Sequence, residues 1–271
     1  MSESGWTAIV LAGQRPGVDP LAQASGETFK ALIAIDGQSM LARVCAALLA
    51  SEKIANLVIL AQDPEKLLVG DTAALANNPK VRLAASGAGI AASIAKIAGS
   101  DTAPWPVLVT TADHALLTTG MVEEFLDNSG GADLSIGVGE RSVVEKSYPA
   151  TRRTWLKFSD GHFSGANLFA LRNDKVMRAL NLWSTVEQDR KKSLSILSRF
   201  GPVLLFRALT RTISFANAVR KAGGRLGVEA KPVVMSQAEA VIDVDKPADL
   251  ELVKSILANA RKADAQGANV R

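Results

Sequence analysis

Carboxylates at the ends of apolar runs, a lysine and two glycine-bearing loops carry the chemistry in this sequence. Asp113 closes the run Val107-Leu108-Val109-Thr110-Thr111-Ala112, and Asp243 and Asp245 alternate in Val241-Ile242-Asp243-Val244-Asp245. A carboxylate at the mouth of a buried strand suits Mg²⁺ shared with phosphate oxygens, because that ion is held by one or two carboxylates plus phosphate. Read alone, Asp113 also fits a turn cap. The loop Gly13-Gln14-Arg15-Pro16-Gly17 follows an apolar run at once, and Lys30 lies further along. Glycines let backbone N–H groups approach an anion, and Arg15 and Lys30 add positive charge. The loop therefore reads as a cradle for a nucleoside triphosphate, its plain alternative being a strand-to-loop turn. It fits neither the GxGxxG nor the GxxxxGK[ST] pattern, which disfavours those two classes.

Two further groups bear on binding. Ser86-Gly87-Ala88-Gly89 leads toward Ser93, and such a loop entering a helix either sits against a flat base or simply caps the helix. Arg152, Arg153 and Lys157 cluster on and beside an expected strand, where they suit a second anion or protect an edge strand from pairing. His114 has no histidine partner nearby and reads as a turn residue. Cys45 falls on an apolar helical stripe with Val44 and Leu48, so a buried structural thiol is expected.

The elements that must position these groups follow a strand–helix rhythm. Strands are expected at 7–12, 57–61, 81–85, 106–111 and 134–138, with helices at 40–49, near 71–76, at 90–98 and at 119–126. Ser39 is the expected N-cap of the second-quoted apolar stripe, Met40 to Leu49. Strands alternating with helices predict an α/β fold, three-layered, with a mostly parallel central sheet and right-handed crossovers. Ligands of such sheets gather at the carboxyl ends of the strands, which would bring the Gly13 loop, Lys30, the Ser86 loop and Asp113 to one edge. Past 140 a β-hairpin is expected around Ser159-Asp160-Gly161-His162, then a mostly helical stretch broken at Gly201-Pro202. A late strand at 226–235, a short apolar run at 240–244 and a helix from Pro247 to about 258 complete the chain, with Asp243 and Asp245 expected to share a face by alternating along a strand.

Composition narrows the class. With 271 residues, 48% hydrophobic and 21% charged, the chain can bury a full core and is not of a disordered type. A net charge of +4 with 5% aromatics and no basic stripe with interleaved aromatics does not indicate nucleic-acid binding. One cysteine rules out an internal disulfide or a cysteine-rich metal site. No signal peptide and no run approaching a membrane span is evident, so a cytoplasmic protein is expected.

Leu11-Ala12-Gly13, the basic glycine loop and Phe29-Lys30-Ala31-Leu32 leading to Gly37-Gln38-Ser39-Met40-Leu41 resemble the signature of nucleotidyltransferases with a GT-A-like fold. That superfamily includes the molybdopterin-guanylyltransferase-like group and the sugar- and alcohol-phosphate cytidylyl- and uridylyltransferases. Its pattern is L-A-G-G-x-G-x-R, then P-K, then G-x-x-M/L-L, and this chain departs from it at the second glycine, where Gln14 stands. The resemblance implies a Mg²⁺-dependent transfer of a nucleotide from an NTP, CTP favoured, to a phosphorylated acceptor such as a sugar or polyol phosphate. It assigns Lys30, Arg15 and Asp113 to catalysis. Leu11, Ala12, Gly13, Gln14, Lys30, Ser86, Gly87 and Ser93 would bind the nucleotide, and Asp113 and Asp245 the metal, with Asp243 as the second choice for Asp245. Gly165 and Asn167 match the family's glycine–asparagine segment and would join Arg152, Arg153 and Lys157 on the acceptor. The implied organisation is one domain over 1–258, with 1–140 binding NTP, 141–258 binding the acceptor, a helical insertion at 174–222 and a flexible tail at 259–271. The apolar, arginine-bearing stretch 183–225 is open between core, a homodimer face and a membrane-surface contact. Two other readings stay open: a GT-A glycosyltransferase using a nucleotide sugar, and a non-catalytic nucleotide-binding protein.

Overall fold

Trp6–Leu11 (β1) reads as an almost unbroken apolar run because both its faces are covered: Ala8, Ile9 and Val10 are fully buried. The computed structural model, which describes residues 5–14, 17–87, 89–188 and 201–268, places β1 inside a sheet. Beside it run Ile54–Ala61 (β4), Val81–Ala85 (β5) and Val107–Thr111 (β6), all parallel to it. Gly161–Leu171 (β9) is antiparallel to both β6 and Leu134–Glu140 (β7), and Ala230–Val234 (β10) pairs in parallel with β7 at the edge. The order is β10-β7-β9-β6-β1-β4-β5, with the short Leu156–Phe158 (β8) paired to β9. The α/β architecture with a mostly parallel sheet is thus present, with β9 as the reversed strand.

Helices cover both faces. On one, Met40–Leu49 (α2) and Thr119–Asn128 (α4) set Leu41, Val44, Leu48 and Phe125 against Ala8, Val10, Leu57 and Ile59. On the other, Ile90–Ile97 (α3) and Met177–Gln188 (α6) set Ile94 and Leu180 against Ile9, Val58 and Val109. Ser39 caps α2 as expected, its side chain accepting from the N–H of Ala42 at 3.2 Å. Cys45 is fully buried, and burial pushes its thiol pKa up to about 12.

Several elements differ from expectation. Pro20–Ala24 (α1), the short pair Ala34–Ile35 (β2) and Gln38–Ser39 (β3), and Arg141–Ser147 (α5) carry too few periodic residues to announce themselves. Gly70–Asn77 is a 3₁₀ segment rather than an α-helix. Residues 240–244 are not a strand: Ala238–Val241 forms a 3₁₀ turn, and the chain then runs on without regular structure. That run is apolar because Ile242 and Val244 pack with Ile33, Ile35 and Val253 in a core cluster, which alternation alone cannot distinguish from a strand. Pro202–Leu209 (α7) and Phe215–Arg225 (α8) follow the Gly201-Pro202 break, whereas 189–200, expected to be helical, lie outside the described residues. Pro247–Ala268 (α9) runs well past 258. Its start is fixed by Asp249, whose carboxylate accepts from the N–H groups of Asp245 and Lys246 at 3.2 and 2.9 Å.

Candidate active site

Where β1, β4, β5 and β6 end, a cleft of ≈ 720 Å³ opens. Gly13, Gln14, Lys30, Ser86, Gly87, Asp113 and Asp245 all line it, although they span most of the chain. Parallel strands make this convergence, since each delivers its following loop to the same sheet edge. One hydrogen bond brings in the distant C-terminal segment: Val244 N–H donates to the carbonyl of Asp113 at 3.0 Å.

At the floor, the Lys30 ammonium bridges two carboxylates. Its Nζ donates to Asp113 Oδ2 and to Asp245 Oδ1, each at 2.7 Å. Burial alone would lower the lysine pKa, but Asp113 and Asp245 outweigh it and hold the group above its ordinary value. Asp113 and Lys30 are largely enclosed, with side-chain exposures of 20% and 18%, while Asp245 faces the opening at 60%. The other oxygen of Asp113, Oδ1, is buried with no hydrogen-bond partner among the described residues. An orphaned carboxylate oxygen beside a second carboxylate is a hard-oxygen donor set of the kind Mg²⁺ takes with phosphate. Among the described residues no group of three or more His, Cys, Asp or Glu side chains is placed to hold a metal ion, so Asp113 and Asp245 would leave the remaining positions of Mg²⁺ to phosphate oxygens and water.

The first loop is held by two glutamines. Gln14 N–H donates to Gln62 Oε1 at 3.1 Å, and Gln14 Oε1 accepts from Lys30 N–H at 3.4 Å. Gln14 thus ties the loop to the lysine. Gly13 leaves room for Gln62: a Cβ there would lie 2.8 Å from Gln62 Oε1 and push that side chain aside. Leu11 and Ala12 end the strand, Leu11 lining the cleft and Ala12 buried against the sheet. Arg15 lies outside the described residues.

On the far wall, Ser93 Oγ accepts from Gly87 N–H at 2.8 Å and donates to the Gly89 carbonyl at 2.6 Å. Ser93 is therefore committed to shaping the loop. Ser86 lines the same cleft, and its Oγ is buried with no hydrogen-bond partner among the described residues. His114, next to Asp113, is 1% exposed with both ring nitrogens unpaired among the described residues, and burial lowers its pKa to about 4. It is a neutral packing residue behind the site.

Residues 8–180 match the family described as the MobA-like NTP transferase domain. The chain belongs to that family. It is therefore a nucleotidyltransferase, and the cleft stands where the family's matched segment supplies Gly13, Lys30, Ser86 and Asp113. A hypothetical transferase of Thermus thermophilus is 29% identical, with a TM-score of 0.75 over 91% of this chain and 100% of that one. A 4-diphosphocytidyl-2C-methyl-D-erythritol synthase of Anaerococcus prevotii is 10% identical, TM-score 0.55, covering 93% and 95% of the two chains. A CMP:2-keto-3-deoxy-manno-octonic acid synthetase solved with CTP is 14% identical, TM-score 0.57, covering 94% and 100%. The last two show the common fold. A search of curated proteins found no match.

Within this MobA-like domain, the residues expected at the acceptor are not among those lining the cleft; two of them, Arg153 and Asn167, meet on Asp243, two residues before Asp245. Arg153 pairs with Asp243 at 2.6 Å, and Asn167 Nδ2 donates to the other oxygen of Asp243 at 2.8 Å. Asp243 and Asp245 thus serve different partners and do not share a strand face, because the segment is not a strand. A register shift between β7 and β9 re-aims Asn167: Ile136 faces Phe169, but Val138 faces Gly165. Asn167 takes a left-handed φ of 50° there, and Gly137 is required opposite, where a Cβ would meet Leu168 Cβ at 2.9 Å. Arg152, Lys157 and Gly165 are exposed. Sequence reading missed Gln62 and Asp19. Both line the cleft, and Asp19 caps α1, its carboxylate accepting from the N–H of Leu21 at 2.9 Å. An Asp immediately before a proline-led helix was the available signal for the second.

Proposed function

We propose that this nucleotidyltransferase moves an NMP from an NTP, CTP favoured, to a phosphorylated small acceptor such as a sugar or polyol phosphate. The observation that carries the reading is Lys30 placed between Asp113 and Asp245 at the bottom of a cleft walled by the Gly13 and Ser86 loops. Lys30 serves as the charge partner of the triphosphate, and Gly13 with Gln14 brings backbone N–H groups close to it. Asp113 and Asp245 would hold Mg²⁺, which supplies charge neutralisation on the phosphates when bound. Ser86, whose hydroxyl has no partner among the described residues, and Gly87 would meet the base and ribose.

An acceptor phosphate oxygen attacks the α-phosphorus. That new P–O bond forms as the bond to the bridging oxygen breaks, and pyrophosphate leaves with the electron pair. No protein base is needed, since a phosphate monoester is already ionised, so the work falls to positioning and electrostatics. Arg153 and Asn167, fixed by Asp243, form the inner end of the acceptor side, with Arg152, Lys157 and Gly165 further out.

Pyrophosphate release on mixing each NTP, Mg²⁺ and a panel of phosphorylated acceptors tests this. The reading expects release with one base and one acceptor class, and a thermal-shift screen of CTP, GTP, UTP and ATP ranks the base beforehand. A nucleotide-sugar transferase would instead release a nucleoside diphosphate, and binding without turnover would mark a sensor.

A further inference from the structure

Away from the cleft, α7 exposes its apolar face. Val203, Phe206 and Leu209 are 68%, 65% and 81% exposed, and their i, i+3, i+6 spacing puts them on one side of the helix. Leu204 faces the opposite way and is buried. The same segment is strongly basic. Between Gly201 and Val228 the sequence holds Arg207, Arg211, Arg220, Lys221 and Arg225 and not one carboxylate, which exceeds the +4 of the whole chain. Three of the cations lie on or next to α7, and Arg220 and Lys221 are exposed on α8. Arg207 follows Phe206, Arg211 lies in the turn after the helix, and the guanidinium of Arg225 on α8 folds back against Gly201 at the start of α7.

The platform is rigidly seated. Phe215, at the start of α8, stacks on Phe163 at 4.9 Å, and its N–H donates to Asp160 at 2.8 Å. Ser159 N–H donates to the Ile213 carbonyl at 3.1 Å. These contacts fix the start of α8 to the β8–β9 hairpin, which also carries Lys157, Gly165 and Asn167.

We propose that the α7–α8 face docks on the surface of a bilayer containing anionic lipids. Apolar side chains flanked by arginine and lysine are the combination that inserts at the headgroup boundary while pairing with lipid phosphates. A second copy of this chain would bring two carboxylate-free basic faces together, and like charges oppose that contact. α8 packs on the hairpin whose second strand carries Gly165 and Asn167, so docking through this face would tether the expected acceptor side to the membrane.

The test is cosedimentation of the full chain with phosphatidylcholine vesicles, with and without phosphatidylglycerol, and needs no nucleotide. Binding is expected with phosphatidylglycerol, weakening as salt rises, and little with phosphatidylcholine alone. Phe206→Ser with Leu209→Ser, and separately Arg211→Glu with Lys221→Glu, should each lower the partition coefficient about tenfold or more. Circular dichroism and retained pyrophosphate release would show that each variant is folded. Equal binding to both vesicles, unchanged partition of both folded variants, or a salt-stable dimer that the serine variant dissociates would overturn the proposal.

Discussion

The Lys30 ammonium lies 2.7 Å from Asp113 Oδ2 and equally close to Asp245 Oδ1, so one cation holds together residues from opposite ends of the chain. Lys30→Met removes the cation that the two carboxylates share. A loss of about 1 kcal/mol is expected in metal-free buffer, kept small because Asp245 is well exposed. Mg²⁺ should then raise the melting temperature of the variant more than that of the parent, since the ion takes over the lysine's electrostatic role. Turnover should still fall about 100-fold or more, because the triphosphate loses its lysine. Equal Mg²⁺ shifts in the two proteins would separate Lys30 from the metal carboxylates.

Gly13 and Gln62 form a second testable pair. Gly13→Ala puts a methyl 2.8 Å from Gln62 Oε1, displacing the side chain that accepts from Gln14 N–H. The NTP KM should rise about tenfold, with the fold intact, because the loop that cradles the triphosphate shifts. Combining Gly13→Ala with Gln62→Ala removes the clash, and steady-state kinetics should recover part of the loss.

Asn167 separates backbone strain from binding. At φ 50° it sits where asparagine is tolerated and glycine preferred. Asn167→Ala should cost about 1–3 kcal/mol in chemical denaturation, losing both the conformational tolerance and the bond to Asp243. Asn167→Gly should cost clearly less. If Asn167 touches the acceptor, both variants raise the acceptor KM similarly, whatever their stability.

Acid stability has an identifiable contributor in Asp133. Hydrogen bonds from the Asn173 amide at 2.8 Å and the Glu229 N–H at 2.9 Å, with Lys175 nearby, hold its carboxyl below the ordinary 3.8. The ionised form is favoured in the fold, so its contribution is complete above pH 3.8 and lost as pH falls below it. Asp133→Asn should be less stable than the parent at neutral pH, and the gap should close in melts taken below about pH 3.8.

Much of this was legible in the sequence where one physical cause dominated. Strands β1, β4, β5 and β6 announce themselves because burial on both faces demands continuous apolar runs, and Ser39 announces α2 because helix N–H groups need a cap. Gly13, Lys30, Ser86 and Asp113 are expected at one sheet edge because loops after parallel strands converge, and they line one cleft; Asp245, which joins them there, is expected from the resemblance and not from topology. Failures came where the same pattern has two causes. The 240–244 run is apolar from core packing, so Asp243 and Asp245 point to different partners. Gln62 carried no signal at all, since its role arises only from the close approach of Gly13.

Pyrophosphate release under a Mg²⁺ titration, in the parent, Asp113→Ala and Asp245→Ala, bears most directly on the cleft as the transfer site. With an accepted NTP and acceptor, both variants should stay folded while Asp113→Ala loses turnover by about three orders of magnitude. Asp245→Ala should need far more Mg²⁺ to reach its lower rate, the second carboxylate being gone. Near-parental turnover and Mg²⁺ dependence in folded Asp113→Ala would contradict the assignment of the cleft.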